Sequence, residues 1–494
     1  MLNSLYHSYK SGTDIRGVAV KLEGGPDVNL TDEMISDFAD GFVLRLSEMT
    51  QKAPNELHVA VGHDSRVSAE RIRKAVIDRL VRCGARVSNC SLASTPAMFM
   101  TTVMLDTDGA VQITASHHPM ERNGLKFFTR AGGFDSCDIE AVLQKAQDGE
   151  HPEKADGGSV ADVDFMSDYA AHLRKIIIDG VGNGDRPLEG FHIAVDAGNG
   201  AGGFFAEKVL APLGADVSGS RYLEPDGRFP NHIPNPEEQE AIASICEAVK
   251  ESGADLGVIF DTDVDRAGCV GPDGREINRN RLIALASVMA LENCPGGTIV
   301  TDSTTSDGLK TFIEKELGGV HHRFKRGYKN VINESVRLCE AGIDSPLAIE
   351  TSGHAALREN YFLDDGAYLM TRVIVKAAKL RREGRTVCDL ISGLKEPAQS
   401  LEKRFRINEK DFRAYGEAVL SELEKYAATQ DGWRVADDNR DGIRVSVPDG
   451  WFLLRLSVHD PIMPLNAESD LPSGASRILD EVTEYLSKFT SLSA

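Results

Sequence analysis

One local arrangement recurs three times along the chain and constrains the fold more than any other feature. An apolar strand-like run leads into a polar loop and then a helix-like stretch, at residues 57–66, 191–203 and 298–309. A second strand-like run, ending in a loop rich in polar side chains, follows roughly 50 to 65 residues later, at residues 110–119, 256–266 and 347–354. Segments with apolar residues at helical spacing separate the members of each pair, at residues 69–82, 236–252 and 329–341. This alternation predicts mixed or parallel sheets covered by helices.

Sheets of this kind bind ligands at the carboxyl ends of their strands, and all three polar loops follow a strand. We therefore expect three similar mixed-sheet α/β domains that direct one loop each at a shared central cleft. The alternative is three unrelated α/β segments whose loops face different ways.

The last part of the chain follows another pattern. Two strand-like runs, G-I-R-V-S-V and W-F-L-L-R-L-S-V, are joined by a Pro-Asp-Gly turn at residues 448–450, which predicts a hairpin. Helix-like stretches flank it at residues 409–428 and 475–488. A chain of 494 residues is too long for one core, so we predict three α/β domains plus a smaller C-terminal α+β domain. The predicted boundaries are residues 1–160, 161–292, 293–400 and 401–494.

The formal net charge of −21 argues against a general nucleic-acid binder, which needs a basic surface. It is compatible with a phosphorylated substrate, because the local field decides binding in a cleft. No run approaches the roughly 18 apolar residues that span a bilayer, and residues 1–10 lack the apolar core of a secretory signal. We therefore expect a cytoplasmic protein with no membrane partner. The eight cysteines form no C-x-x-C pair, which argues against zinc, and the oligomeric state stays open.

Three carboxylates, Asp261, Asp263 and Asp265, follow a strand-like run at alternate positions. Alternate residues of an extended segment point the same way, so these groups would repel one another unless a cation lay between them. Oxygen ligands suit Mg²⁺, which also favours a phosphate oxygen as partner. An EF-hand is excluded because its sixth and twelfth positions hold Arg266 and Pro272 instead of Gly and Glu. A solvated acidic turn is the remaining alternative.

Ser116 lies in the loop T-A-S-H-H-P. Serine is a poor nucleophile unless it is activated, and the G-x-S-x-G elbow of hydrolases is absent around it, so acyl transfer is not indicated. Taken alone, Ser116 is better explained as a turn residue. The neighbouring His117 does not by adjacency make a catalytic pair.

The third polar loop, E-T-S-G-H, contains Glu350, Ser352 and His354. A carboxylate and a hydroxyl two residues apart could bind neighbouring sugar hydroxyls, and an ordinary loop is the alternative. Basic residues recur near the polar loops, where a phosphosugar pocket would need them, although each alone is typical of a solvated surface. They are Arg16, Arg66, Lys126, Arg266, Lys325, Lys329, Arg444 and Arg455.

Seven motifs, in this order, resemble the α-D-phosphohexomutase superfamily, which includes phosphoglucomutases and phosphomannomutases. They are T-D-I-R-G (13–17), V-G-H-D-S-R (61–66), T-A-S-H-H-P (114–119) with N-G-L-K (123–126), P-D-G-R-F-P-N-H (225–232), D-T-D-V-D-R (261–266), K-R-G-Y-K (325–329) and E-T-S-G-H (350–354). The resemblance implies a four-domain, heart-shaped enzyme with a central cleft. It also implies an enzyme that moves a phosphate between the 1- and 6-positions of a hexose.

The resemblance further implies that Ser116 carries the phosphoryl group. Asp261, Asp263 and Asp265 would hold Mg²⁺ together with a phosphate oxygen on Ser116. The reaction would pass through a hexose 1,6-bisphosphate, which also acts as activator. Arg266 and Arg16 would offset the charge that spreads over the transferring oxygens.

The remaining roles fall into two groups. Glu350 and Ser352 would bind the sugar hydroxyls, and the last domain would hold the phosphate that is not being transferred. Its predicted substrate-binding residues, with the third-domain Lys325, are Arg455, Ser457 and His459. The candidates for general acid and general base are His117, Lys126 and His354, with the two roles undivided.

The chain departs from the family pattern at three places. His118 stands where Asn is common, and Thr262 and Val264 stand where glycines often separate the metal carboxylates. β-Branched residues are tolerated in an extended segment. The usual phosphate loop R-x-S-N-T-E-P appears here as R-L-S-V-H-D-P, so that His459 replaces Thr and could supply a pH-sensitive donor.

Two other functions fit the same scaffold. One is a catalytically silent sugar-phosphate-binding protein, and the other is a metal-dependent sugar phosphatase. The presence of Ser116, the three aspartates and Lys126 favours the mutase. Glucose, mannose and glucosamine phosphates stay open as substrates, because no residue can be assigned to the 2-position.

Overall fold

The computed structural model describes residues 2–437, 439–457 and 460–493. It divides into two compact units. The first comprises Met1–Met289 and Ser352–Leu390, and the second comprises Ala290–Thr351 and Ile391–Ala494. Within the described ranges, no helix combines the length and apolar character needed to cross a bilayer.

The α-helices, in chain order, are α1 Ser4–His7, α2 Asp32–Thr50, α3 Ala69–Arg82, α4 Thr95–Met104, α5 Ser136–Gln147, α6 Phe165–Val181, α7 Gln239–Ser252, α8 Asn280–Asn293, α9 Asp307–Thr311, α10 Tyr328–Glu340, α11 Gly366–Arg382, α12 Phe412–Ala427 and α13 Gly474–Leu486.

The strands are β1 Lys10–Ser11, β2 Asp14–Val18, β3 His58–His63, β4 Arg86–Leu92, β5 Gly109–Ile113, β6 Arg122–Thr129, β7 Gly132–Gly133, β8 Ser159–Asp162, β9 Ile193–Asp196, β10 Leu256–Phe260, β11 Ala267–Val270, β12 Glu276–Ile277, β13 Thr298–Asp302, β14 Val320–Phe324, β15 Leu347–Ile349, β16 Ala355–Leu357, β17 Gln399–Ile407, β18 Arg434–Val435, β19 Ile443–Val447, β20 Gly450–Leu454, β21 Ile462–Ser469 and β22 Leu492–Ser493.

The first unit contains two mixed sheets. The larger has the order β1-β2-β6-β5-β3-β4-β8, with β7 paired to β6. Its strands β5, β3, β4 and β8 are parallel, whereas β2, β6 and β5 are antiparallel neighbours. The smaller has the order β12-β11-β10-β9, in which β9 and β10 are parallel. Because His63 of β3 pairs with Ile113 of β5, the loops after these two strands begin side by side.

Helices bury one face against these sheets. In α3 the buried residues Ile72, Val76 and Leu80 are four positions apart and join the same core as Phe38 and Phe42 of α2. Each spacing of four returns to the same side of the helix, so one apolar stripe packs inward. Residues 69–82 were predicted as a helix, and α3 has those bounds.

The second unit contains three parallel strands in the order β14-β13-β15 and an antiparallel sheet in the order β18-β19-β20-β21-β17-β22. Asp302 of β13 pairs with Phe324 of β14, and Thr301 pairs with Ile349 of β15. The loops after these three strands therefore leave the same edge of the sheet. The predicted hairpin is confirmed by β19 and β20, which pair from Ile443↔Leu454 to Val447↔Gly450.

The predicted fold class is confirmed in its architecture, since three sheets of mixed or parallel strands precede an antiparallel sheet with helices α12 and α13. The shared cleft and the four domain boundaries stay predictions.

Candidate functional site

Ser116 lies three residues beyond β5 in the first unit. Its side chain is buried, and its backbone φ of 50° falls in the left-handed region that non-glycine residues seldom adopt. Its N–H donates to Thr114 Oγ1 over 2.8 Å, and Thr114 Oγ1 donates to Asp64 Oδ2 over 2.7 Å. Burial raises the pKa of Asp64 to about 6, against the lowering effect of Arg66. The loop is thus held in a strained conformation by the end of the neighbouring strand β3.

Arg66 holds the segment that follows Ser116. Its buried guanidinium donates to four backbone carbonyls, those of Ser116, His118, Pro119 (2.8 Å) and Arg122 (2.9 Å). Its Nε lies 3.4 Å from Asp64 Oδ2. Sequence reasoning named Arg66 only as one basic residue among several and missed this role.

The three aspartates lie in a turn, so the prediction of an extended segment is wrong. Strand β10 reverses into β11, and the pair Phe260↔Ala267 leaves only six residues for the reversal. Val264 adopts a φ of 70°, and Asp261 Oδ1 accepts from the N–H groups of Val264 (3.0 Å) and Arg266 (3.2 Å). A reversal this tight needs a left-handed residue, which explains why a glycine is common at this position.

The turn still brings the carboxylates together. One oxygen from each of Asp261, Asp263 and Asp265 lies within 4.8 Å of the other two, and all three side chains are buried. Asp263 Oδ1 and Asp265 Oδ1 have no hydrogen-bond partner among the described residues. Burial, and then Asp265 and Asp263, raise the pKa of Asp261 well above its ordinary value. Two unpartnered buried oxygens beside a third carboxylate fit a hard divalent cation and do not fit a solvated acidic turn.

Two basic side chains lie against this acidic cluster. Lys126, on β6, donates to Asp265 Oδ2 over 2.6 Å and lies 3.6 Å from Asp263 Oδ2. Burial acts to raise the pKa of Asp265, but Lys126 and the charged groups beyond it lower that pKa below its ordinary range. Arg266 donates from Nε to Asp261 Oδ2 over 3.2 Å and from Nη2 to Ser116 Oγ over 3.1 Å. Ser116 Oγ itself donates to Asp261 Oδ2 over 3.2 Å.

His117 and His118 are both kept neutral. Arg266 Nη2 donates to His117 Nδ1, which therefore acts as the acceptor. Burial, and then Arg266, lower the pKa of His117, while burial and then Arg16 lower the pKa of His118 to about 3. Arg16, on β2, donates to Asp14 over 2.7 Å, and its charge acts on both histidines.

His354 reaches the same cluster through a single antiparallel bridge between its backbone and that of Arg266. Its Nδ1 lies 2.5 Å from Asp364 Oδ2 and 3.9 Å from Asp265 Oδ1. Burial acts to lower the pKa of His354, but Asp364 and Asp265 outweigh it and raise that pKa to about 9. His354 is therefore the charged histidine of the site. Ser352, also in the first unit, is buried two residues earlier.

The other predicted binding residues lie in the second unit. Glu350 is buried and accepts from the Gly327 N–H over 2.6 Å, whereas Lys325 is exposed. Arg455 follows β20 and donates its N–H to the Pro464 carbonyl over 3.1 Å. Ser457 Oγ accepts from the Asp460 N–H over 3.3 Å. His459 lies outside the described residues.

Sequence reasoning also missed Thr95 and Asp364. Thr95, at the start of α4, donates through Oγ1 to Asp263 Oδ2 and through N–H to the Asp263 carbonyl over 2.8 Å. Asp364 pairs with His354 from a position just before α11. The sequence did contain a signal for Asp364. Two adjacent aspartates precede an apolar helix, but a helix needs only one N-cap residue, and Asp365 is the cap of α11. The second aspartate, Asp364, therefore called for another role.

The sequence matches a known family along most of its length. Models described as phosphoglucomutase/phosphomannomutase alpha/beta/alpha domains I, II and III match residues 9–152, 167–274 and 278–396. A phosphomannomutase/phosphoglucomutase of Pseudomonas syringae is 31% identical over 427 residues, covering 86% of each chain. A phosphoglucomutase of Neisseria gonorrhoeae is 29% identical over 468 residues, covering 94% of each chain.

The fold also matches those of two solved structures. A phosphoglucomutase/phosphomannomutase family protein of Burkholderia thailandensis aligns with a TM-score of 0.80 at 27% identity, covering 98% of each chain. A structure described as a phosphomannomutase of Thermus thermophilus aligns with a TM-score of 0.71 at 19% identity and shares the fold.

Proposed function

The chain belongs to the phosphoglucomutase/phosphomannomutase family, and on that premise we propose that it interconverts hexose 1-phosphate and hexose 6-phosphate. It does so through a phosphorylated Ser116 and a hexose 1,6-bisphosphate. The observation that carries this proposal is the position of Ser116 Oγ, which lies 3.1 Å from Arg266 Nη2 and 3.2 Å from Asp261 Oδ2. A hydroxyl held between a guanidinium and a buried acidic cluster suits the transfer of a highly charged group.

We propose Mg²⁺ as the cation of this cluster. Asp261, Asp263 and Asp265 would hold it together with a phosphate oxygen on Ser116. The orphaned oxygens of Asp263 and Asp265 and the all-oxygen donor set support this choice. When bound, the cation neutralises charge on the transferring phosphoryl group.

The phosphoryl transfer itself exchanges one P–O bond for another. The bond from phosphorus to Ser116 Oγ breaks as a substrate hydroxyl oxygen bonds to phosphorus, and the hydroxyl proton passes to a base. Arg266 already donates to Ser116 Oγ, so it stabilises the charge that develops there when the bond breaks. Arg16 adds a second positive charge on the side of His117 and His118. In the second half-reaction the other phosphate of the bisphosphate returns to Ser116.

We propose that Lys126 and His354 carry protons in these steps. Lys126 Nζ and His354 Nδ1 both face Asp265, at 2.6 Å and 3.9 Å. The group that gives its proton to Ser116 Oγ as the bond to phosphorus breaks is left neutral, and it then takes up the proton of the attacking substrate hydroxyl, so that the proton count balances. His117 is less suited, because its Nδ1 already accepts from Arg266. We assign His117 the task of orienting Arg266 against Ser116.

The substrate-binding roles are also proposals. Glu350 and Ser352 bind sugar hydroxyls, and the non-transferring phosphate is held by four residues of the later sequence. These are Lys325, Arg455, Ser457 and His459. Support comes from Arg455, whose buried Nε has no hydrogen-bond partner among the described residues and can donate to an anion.

The four domains are proposed at residues 1–160, 161–292, 293–400 and 401–494. Matches to three successive domain models support the first three. Hexose 1,6-bisphosphate is proposed as activator, since it rephosphorylates Ser116 after loss of phosphate. The cytoplasmic location stays a prediction.

The test is a coupled assay of the purified protein with glucose 1-phosphate and with mannose 1-phosphate, each with Mg²⁺ and a catalytic amount of hexose 1,6-bisphosphate. We expect formation of the 6-phosphate from at least one substrate, with little free phosphate. No isomerisation of either sugar, or release of inorganic phosphate as fast as isomerisation, would contradict the proposal.

A further inference from the structure

Asp441 links two loops of the second unit that carry proposed substrate-binding residues. It lies two positions before β19, and its Oδ2 accepts from Ser303 Oγ over 2.6 Å and from the Arg326 N–H over 3.1 Å. Ser303 follows β13, and Arg326 follows β14. We propose that Asp441 is a positioning residue that fixes the phosphate-binding Arg455 relative to the sugar-binding Glu350. This inference rests on the proposed function.

The first connection runs from Asp441 to Glu350 through two consecutive peptide groups. The Arg326 N–H donates to Asp441, and the next N–H, that of Gly327, donates to Glu350 Oε1 over 2.6 Å. Gly327 has a φ of 118°, which residues with a side chain rarely adopt, so a glycine at this position suits the backbone conformation in which the two N–H groups meet the two carboxylates. Carboxylates of two different sheets are thereby held by adjacent residues of one loop.

A second connection starts at Ser303. The preceding residue, Asp302, is buried at the end of β13 and accepts through Oδ2 from Thr351 N–H (2.6 Å) and Thr351 Oγ1 (2.9 Å). Thr351 follows Glu350 directly. Asp441 therefore restrains Glu350 from both neighbouring loops.

The Arg455 side of the link comes from the hairpin. Ile443 pairs with Leu454, so the residues just before β19 lie beside the residue just after β20. A Cβ added to Gly442 would lie 2.6 Å from Arg455 Cα, which shows how closely the two backbones pack. Burial and the charge of Arg326 lower the pKa of Arg455, and the charge of Asp441 opposes them. Asp441 is thus the first of three carboxylates, with Glu402 and Asp302, whose charges oppose that of Arg326 at Arg455.

Arg444 makes this arrangement rigid. Its guanidinium lies 3.5 Å above the Trp451 ring, and it donates to the Ser303 carbonyl over 3.1 Å and to Asp307 Oδ1 over 3.0 Å. The start of β19 is therefore fastened to the loop after β13 by a buried side chain.

The experiment measures kcat and KM for the hexose 1-phosphate that the wild-type protein isomerises, in Asp441→Ala, Asp441→Asn and the control Asp470→Asn. Asp470 is an exposed carboxylate of the same unit that pairs with Lys395. We expect Asp441→Ala to raise KM by about tenfold with a smaller change in kcat. Asp441→Asn, which keeps an oxygen acceptor, should lie between Asp441→Ala and wild type, and Asp470→Asn should match wild type. A double-mutant cycle adds Asp441→Ala to Arg455→Ala, where its further effect should shrink to within about twofold.

An unchanged KM in Asp441→Ala would overturn the inference. So would an equal fold-change with and without Arg455, since that result indicates a general loss of structure. If wild type isomerises no hexose phosphate, the proposed function fails separately. Calorimetric binding of glucose 6-phosphate by the same variants then takes the place of KM, and the same comparisons decide the role of Asp441.

Discussion

Arg266 and Ser116 meet across 150 positions of sequence, with Arg266 Nη2 donating to Ser116 Oγ over 3.1 Å. Arg266 also pairs with Asp261, which accepts from the same serine hydroxyl. One serine, one arginine and one aspartate therefore form a closed triangle of hydrogen bonds. In the proposed reaction this triangle is the point at which the phosphoryl group joins and leaves the protein.

Replacing the serine tests its part in this triangle. Ser116→Ala is expected to lower kcat by at least about 10³-fold, because it removes the hydroxyl that contacts both Arg266 and Asp261. Circular dichroism should show an unchanged fold. Ser116→Gly is the matched variant, because glycine accepts the φ of 50° without strain, and it should be equally inactive. Near-normal turnover in either variant would remove Ser116 from the mechanism.

Metal removal should affect both activity and stability. We expect chelation to abolish turnover, and Mg²⁺ at about 100 times its Kd to raise the free energy of unfolding by about 2.7 kcal/mol. Asp263→Asn should lose most of that stabilisation, whereas Asp168→Asn, an exposed residue of α6, should keep it. Thermal unfolding with and without Mg²⁺ measures the effect. An equal Mg²⁺ response in wild type and Asp263→Asn would place the cation elsewhere.

Lys126 is the cation closest to Asp265, and both side chains are buried. Lys126→Met should reduce the free energy of unfolding of the metal-free protein by about 3–5 kcal/mol, since it removes the 2.6 Å ion pair of a buried carboxylate and leaves it only the more distant His354 (3.9 Å) and Arg266 (4.0 Å). Mg²⁺ should restore part of the loss but not the activity. Lys175→Met, which removes an exposed ion pair on α6, is the control and should change stability little. Denaturant unfolding measures the stability of Lys126→Met and Lys175→Met. Equal stability of the two variants would contradict the prediction.

The His354–Asp364 pair predicts a loss of stability at alkaline pH. The pKa of His354 in the folded protein is about 9, above the ordinary value of 6.5. The contribution of the pair to the free energy of unfolding is therefore complete below about pH 6.5 and disappears as the pH rises through about 9. The loss is on the order of 3 kcal/mol. Urea unfolding between pH 6 and pH 10 should show this decline in wild type and a flatter profile in His354→Gln. Parallel profiles for the two proteins would contradict the assignment.

Arg66 is expected to be sensitive even to a conservative change. Arg66→Lys keeps the charge but loses the planar fork that donates to four carbonyls, so we expect a loss of about 2–4 kcal/mol of stability and lower kcat. Arg82→Lys, exposed at the end of α3, should leave both unchanged. Stability and turnover of the two variants are compared directly. Wild-type stability and turnover of Arg66→Lys would mean that the segment after Ser116 keeps its conformation without the hydrogen bonds from Arg66.

The regular elements of the chain were predicted best where periodicity is strong. Residues 69–82 have apolar positions four apart, and α3 has those bounds; the 448–450 turn placed the β19–β20 hairpin. Helix α2, Asp32–Thr50, was not predicted, because its mixed pattern gives a weaker stripe and its burial depends on packing against α5.

The site was predictable in its residue types and less so in its geometry. Asp261, Asp263 and Asp265 were predicted to be metal ligands in an extended segment, yet they converge through a turn in which Val264 is left-handed. Spacing alone cannot distinguish these two shapes, since both bring alternate carboxylates together. The contacts of Arg66 and Asp441 were missed because their hydrogen-bond partners are distant in sequence: backbone carbonyls for Arg66, and the Ser303 hydroxyl and the Arg326 N–H for Asp441.

The most direct test of the central claim follows phosphate on and off Ser116. The protein is first phosphorylated by hexose 1,6-bisphosphate that carries labelled phosphate, freed of ligand, and mixed with excess unlabelled hexose 1-phosphate and Mg²⁺; the Ser116 peptide and the sugar products are then analysed by mass. We predict that the label leaves the Ser116 peptide and appears in the hexose 6-phosphate, while unlabelled phosphate from the substrate takes its place on Ser116. Isomerisation that proceeds while the label stays on Ser116, or with no phosphate ever found on that residue, would contradict the account.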